Sequence, residues 1–255
     1  MSPDETRGAM GIAGSGAEVG PCDAEGRQIE GGGGPARAAS RVRGTYDWRR
    51  EMVPFTSPRE NARELVRILR GCETVLDVGC GAKSPLRFFR GGKTLGMDAF
   101  RPDLERAMAD RTHDEFLFGR AERVAEAVGG RRFDACVALD LIEHLPKEDA
   151  RRFLGDMEAL ATRRVVVFVP NGFMPQESRE AGDLQAHRSG WTAAEMRALG
   201  YEVIGLNGLK VLRGQGHKLR FRPWSLWAII SWLTQVAWCR RHPDTAAALF
   251  CWKDV

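Results

Sequence analysis

The chain of 255 residues contains six cysteines (Cys22, Cys72, Cys80, Cys136, Cys239 and Cys251), and no two of them form a C-x-x-C pair. The close thiolate spacing of a zinc site is therefore missing. Cys80 and Cys136 fall in or beside apolar runs, where a thiol serves as a small buried hydrophobe in a reducing compartment rather than as part of a disulfide framework. A basic N-terminal stretch followed by an apolar core, the pattern of a secretory signal, is also lacking, so a cytoplasmic location is expected. The uncharged run Trp224 to Cys239 has 16 residues, fewer than the roughly 20 a membrane-spanning helix needs. Large apolar side chains are scarce in residues 1–44, where 11 of the 29 glycines lie. Such a segment buries too little surface to offset its ordering entropy, so residues 1–44 are expected to be disordered, with a docking tail as the functional alternative.

The remaining sequence, 45–255, with 43% hydrophobic residues over the whole chain, suffices for one α/β domain and falls short of two. It is organised around Val75-Leu76-Asp77-Val78-Gly79-Cys80-Gly81-Ala82, which reads as a buried strand entering a glycine turn. Asp77 is costly inside a covered strand unless its carboxylate meets a donor. Gly79 and Gly81 let the chain turn sharply and let a ligand approach the backbone N–H groups. A second acid, Asp98, ends the next apolar run at the spacing of strand, turn, helix and strand, where an acid commonly accepts ribose hydroxyls.

Val75 to Gly81 has the form hydrophobic-hydrophobic-acid-hydrophobic-Gly-x-Gly and resembles the first motif of the class I, Rossmann-like S-adenosylmethionine-dependent methyltransferases; Asp98 resembles the acid of their second motif. Dinucleotide oxidoreductases are the rival, but they usually carry a third glycine where Ser84 stands and rarely an acid at Asp77. The resemblance implies a doubly wound seven-stranded sheet in the order 3-2-1-4-5-7-6 with only strand seven antiparallel, and S-adenosylmethionine as cofactor. The cofactor-binding set it implies is Asp77, Gly79, Cys80, Gly81, Asp98, Ala99, Arg120, Ala121, Asp140 and Leu141, with no metal. Many family members carry an adenine-binding acid at the position of Arg120; here the backbone of Arg120 and Ala121 is left to read the ring edge.

Taken in order, Trp48 and Arg49 are candidates to help close the site, with plain packing as the alternative for Trp48. Ser57-Pro58-Arg59-Glu60 is a capping box that opens a helix over 58–70. A crossover helix is expected at 85–90, its N-terminal amides facing the cofactor, then a strand at 93–97, a helix at 102–110 and a strand at 115–118. Glu122 is read as a solvated first-turn helix residue. The apolar run 133–139 predicts strand four, a helix follows over 147–162, and the β-branched run 164–169 predicts strand five. A second capping box at Thr192 opens a short helix, and strands six and seven are placed at 201–206 and 247–253.

Asp140 and the run Ile142-Glu143-His144-Leu145 resemble the fourth motif of small-molecule methyltransferases. Three readings of Glu143 and His144 stand: His144 as a general base toward an acceptor hydroxyl, the pair as part of a metal site, or a helix cap lining the pocket. The long loop from Pro170 to Gly190, with Asn171, Gln176, Glu177, Gln185, His187 and Arg188, reads as a lid or substrate wall, and His187 is a second candidate base. Residues 203–243 contain no Asp or Glu but seven Lys/Arg (Lys210, Arg213, Lys218, Arg220, Arg222, Arg240, Arg241), while the whole chain is only +4. A helical, Trp-rich insertion at 209–243, between strands six and seven, is expected. It is read as packed on the domain by its aliphatic face, as a membrane or lipid-substrate contact through 210–241, or as a lid or dimer surface. The expected reaction is methyl transfer to an O or N atom of a small-molecule, lipid or glycan-biosynthesis acceptor. Nucleic acid is the lesser alternative, since no Asn/Asp-Pro-Pro-aromatic tetrapeptide or Pro-Cys nucleophile stands in the expected places. A non-catalytic binding module is the third.

Overall fold

The computed structural model describes residues 57–176, 184–214 and 219–255. The disorder expected for 1–44, the closing role of Trp48 and Arg49, and Glu177 and Lys218 all lie outside the described residues.

Seven strands form one sheet: β1 (Thr74–Val78), β2 (Lys93–Asp98), β3 (Glu115–Phe118), β4 (Phe133–Leu139), β5 (Ala161–Pro170), β6 (Glu202–Leu209) and β7 (Ala246–Asp254). Their order is β3-β2-β1-β4-β5-β7-β6. β7 runs antiparallel to β5 and β6, and all other pairs are parallel. This is the expected topology. Covered on both faces, β4 and β5 are nearly continuous apolar runs, and Ala135 to Ala138 and Val165 to Val167 are fully buried.

The helices are α1 (Ser57–Ile68), α2 (Arg101–Ala109), α3 (Val124–Ala127), α4 (Lys147–Leu160), α5 (Ala193–Ala198) and α6 (Trp224–Thr234). One apolar layer joins Val78 and Val167 to Val124, Phe153, Met157 and Met196 beneath α3, α4 and α5. The opposite layer joins Val75, Val137 and Phe168 to Leu65 and Leu69 of α1. Each fully buried aliphatic or aromatic side chain contributes about 1.5–3 kcal/mol. At the free ends of β1 and β4, Asp134 accepts from the backbone N–H of Glu73 (2.6 Å) and Thr74 (3.2 Å), which holds its carboxyl below the ordinary value.

Three sequence expectations are corrected. The crossover helix over 85–90 is a single 3-10 turn, Pro85–Phe88, because Phe89 is already extended (φ −71°, ψ 136°). Its leading amide, Leu86 N–H, donates to Ser84 Oγ at 3.1 Å, so no row of helix amides faces the cleft. Strand six runs on to Leu209 through a bulge between Leu206 and Leu209, where Asn207 (φ 66°) and Gly208 (φ 70°) turn left-handed. The insertion does contain a helix, α6, but Leu226, Ile229 and Leu233 on it are exposed rather than packed on the domain, whereas Ser231 and, just past its end, Gln235 are buried.

Candidate functional site

Because β1, β2, β4 and β5 run parallel, their carboxyl ends share one edge of the sheet, and the glycine turn after β1 lies there. The acid inside β1 has found its partners. Asp77 Oδ2 accepts from Ser84 Oγ at 2.5 Å and faces His113 Nε2 at 3.0 Å, and His113 Nδ1 meets Thr112 Oγ1 at 2.9 Å. A carboxylate accepts only, so the Nε2–H of His113 points at Asp77. Asp77 Oδ1 is buried and has no partner among the described residues.

The glycine turn is fixed from both sides. Gly79 N–H and Cys80 N–H donate to Met97 O at the end of β2 (2.8 and 3.1 Å). Gly79 has φ +72°, and a Cβ there would stand 2.9 Å from Leu141 Cδ1, so conformation and packing both demand glycine. Gly81 has φ +54° with nothing within 4 Å of a Cβ position, so a side chain there would project into open space. Its N–H donates to Asp98 Oδ2 at 2.7 Å, while Phe100 N–H donates to Oδ1 at 2.7 Å. Burial raises the Asp98 carboxyl above its ordinary value, and these two amide bonds partly oppose the rise. Cys80 is buried, which pushes its thiol up.

Asp140 follows β4 with φ +50°, a left-handed conformation that is uncommon outside glycine and that collects at functional sites. Its side chain is reached by water yet ringed by protein, which pushes its carboxyl up to about 7. Two adjoining clefts open at this edge. One, of about 280 Å³, is bounded by Asp77, Gly79, Cys80, Gly81, Asp140 and Asn61 of α1. The other, of about 130 Å³, is bounded by Asp98, Ala99, Arg120, Ala121, Leu141 and His144. Gly79, Gly81, Asp140 and Gln185 belong to both. Each of the ten expected cofactor-binding residues borders one or both of these clefts. The Arg120 guanidinium lies in an exposed contact 3.5 Å from Glu122, which borders the same cleft.

The described part of the long loop closes over the one-turn segment Ile142–His144. Arg188 N–H and Ser189 N–H donate to Glu143 O (2.7 and 3.0 Å), and Ser189 Oγ donates to Ile142 O at 3.1 Å. Trp191, fully buried, anchors the loop by donating from Nε1 to Ser189 Oγ at 3.1 Å. This brings His187 to His144, ring centroids 4.8 Å apart. His144 Nδ1 meets Ala186 O at 3.2 Å and His187 Nδ1 meets Met174 O at 2.7 Å. A carbonyl cannot donate, so both rings carry hydrogen on Nδ1. Glu143 is buried, its Oε2 has no partner among the described residues, and burial followed by the Asp140 charge raises its carboxyl well above the ordinary value. Donor atoms of Glu143, His144 and His187 lie within 4.8 Å of one another, a group that could hold a metal ion.

Three site residues escaped the sequence reading. Asn61 Oδ1, from the helix before β1, is buried without a partner among the described residues and borders the first cleft; its position on α1 carried no motif. His113, 36 residues from Asp77, was legible only as the unnamed partner that a buried acid requires. Gln185 was named in the loop, but its place between the two clefts follows from the fold. Asn171, by contrast, is structural: its Nδ2 donates to the carbonyls of Pro243, Asp244 and Ala246 at 2.8–3.0 Å.

No family model and no curated protein matches the chain. Among solved structures, it is similar to an S-adenosylmethionine-dependent methyltransferase from Archaeoglobus fulgidus, with 13% identity over 78% of this chain and 95% of that one at a TM-score of 0.53. It is also similar to the methyltransferase domain of bacterial CtHen1-CN, with 18% identity over 78% of this chain and all of that one at a TM-score of 0.51. At these identities the likeness is one of fold. The chain has the class I, Rossmann-like fold of the S-adenosylmethionine-dependent methyltransferases.

Proposed function

We propose that the protein is an S-adenosylmethionine-dependent methyltransferase that methylates an O or N atom of a small-molecule, lipid or glycan-biosynthesis acceptor. The observation that carries this reading is the pair of buried, unpartnered oxygens, Asp77 Oδ1 and Asn61 Oδ1, bordering the cleft that opens at the glycine turn. Two acceptors left bare in one cleft suit a ligand that brings N–H donors, as the amino group of S-adenosylmethionine does. Asp98, half-buried and still holding lone pairs beyond its two amide bonds, suits ribose hydroxyls. The open Cβ position at Gly81 leaves room for the same ligand.

When bound, the cofactor supplies a methyl carbon already activated by its sulfonium. The chain then has to hold the acceptor atom in line and exclude water, which supplies a large share of the rate. In this reading His144, which borders the second cleft with Asp140, takes the proton from an acceptor hydroxyl as the new bond forms. His187, held edge-on to it, orients that ring. His144→Ala is expected to lower turnover about 10- to 1000-fold with cofactor affinity nearly unchanged. Equal turnover of the two proteins would return His144 to lining the pocket. The acceptor is sought with labelled cofactor against lipid, small-molecule, RNA and DNA fractions; labelling confined to nucleic acid would overturn the proposed acceptor class.

A further inference from the structure

Helix α6 is built the wrong way round for a helix resting on a domain. Leu226, Ile229 and Leu233 recur at intervals of three and four and so share one face; together with Trp224, and with Val236 and Trp238 of the π-helical turn Gln235–Cys239 that continues the helix, they are 44–61% exposed. The face turned to the sheet is polar. Ser231 and Gln235, four residues apart, are 2% and 4% exposed. Gln235 Oε1 accepts from Gly208 N–H at 2.9 Å and Gln235 Nε2 donates to Gly205 O at 3.0 Å, which satisfies the backbone freed by the bulge in β6. A Cβ at Gly208 would stand 2.3 Å from Ser231 Oγ, so the helix sits close against the strand. Polar anchoring thus leaves the whole aliphatic stripe facing outward.

Positive charge brackets the stripe. Arg220 and Arg222 precede it and Arg241 follows it, while residues 203–243 contain no Asp or Glu. Arg240 is already committed to Glu64 of α1 at 2.5 Å. The Arg222 guanidinium lies 5.0 Å from the Trp224 ring centroid, an arrangement suited to a headgroup boundary, with the ring at the acyl margin and the charge outside it. Among the described residues no helix is long and apolar enough to cross a membrane, so α6 lies along a surface. The segment leaves the sheet at the end of β6, which is parallel to β5 because both pair antiparallel with β7. The exit is therefore on the edge that carries the two clefts.

We infer that the outward face of α6, with Arg220, Arg222 and Arg241, is a docking surface for an anionic lipid bilayer, and that it presents the cleft edge to that bilayer. The occupant follows from the charge: a second copy of the chain would bring the same arginines against these, whereas anionic headgroups neutralise them. The docking does not depend on methyl transfer, so its test reads binding alone.

The test is flotation of the full chain with vesicles of phosphatidylcholine, alone or mixed with phosphatidylglycerol. The protein is expected to float with the mixed vesicles, less so at high salt, and to stay in solution with phosphatidylcholine alone. Arg220→Gln with Arg222→Gln is expected to weaken binding about fivefold per arginine removed. Leu226→Ser with Leu233→Ser, both at exposed positions that leave the core intact, is expected to weaken it at least about tenfold. Failure to float with either vesicle, or equal flotation of all three proteins, would overturn the proposal. So would a dimer in sedimentation that the two serine substitutions convert to monomer while the intact protein ignores vesicles; the face would then belong to a second copy.

Discussion

Asp77 shows how one residue carries structure and ligand chemistry together. One oxygen is spent on Ser84 and His113 inside the fold, and the other is left bare at the cleft. Asp77→Ala would strip the acceptor from both partners, so a stability loss of about 1–3 kcal/mol is expected in denaturant unfolding, together with weaker cofactor binding. A variant as stable as the parent would show that His113 and Ser84 find other partners. The acid was legible in the sequence because a charge inside an apolar strand stands out. His113 was not, because the residue that answers a buried acid is chosen by packing between β2 and β3, and no local pattern records it. Gly79 is legible for the opposite reason, since its left-handed backbone leaves few alternatives.

Among the elements, the strands were read well where burial on both faces writes a continuous apolar run, as in β4 and β5, and less well where tertiary contacts set the ends. β6 outran its expected limit because Gln235 satisfies the bulge from a distance of some 30 residues. The 3-10 turn at Pro85–Phe88 replaced a helix because the chain must be extended again by Phe89 to enter β2 at Lys93. The orientation of α6 was the largest surprise: its spacing showed an aliphatic stripe but not which side the sheet would take, and that choice was made by Ser231, Gln235 and Gly208. Gln235→Ala would leave the Gly208 N–H and the Gly205 C=O buried without partners. A loss of about 1–3 kcal/mol in unfolding free energy is expected, with an unchanged denaturant slope. A change below about 0.5 kcal/mol, the size of an ordinary surface substitution, would show that water reaches the bulge.

For the molecule as a whole, two carboxylates tie distant parts together, and both lose their contribution in acid. Burial alone would raise the Glu64 carboxyl, but hydrogen bonds and charge from Arg240 and Arg67 outweigh it and hold the group below its ordinary value, joining α1 to the insertion. Asp134 is held low chiefly by the Glu73 amide, at the start of the central strand pair. A carboxyl whose folded pKa is depressed stabilises the fold fully above its unfolded pKa, and that stability is lost as pH falls through the folded pKa. The melting temperature is therefore expected to fall as pH drops below about 4.5. Asp134→Asn should make that fall shallower, and an identical acid profile would remove Asp134 from the account.

The most direct measurement of the central claim is a calorimetric titration of the full chain with S-adenosylmethionine, beside the same titration of Asp98→Ala. The parent is expected to bind, and the variant, folded by circular dichroism, to bind about 1.5–3 kcal/mol more weakly through loss of a charged acceptor. Unchanged affinity in the folded variant, or tight binding of a nicotinamide dinucleotide with none of S-adenosylmethionine, would contradict it.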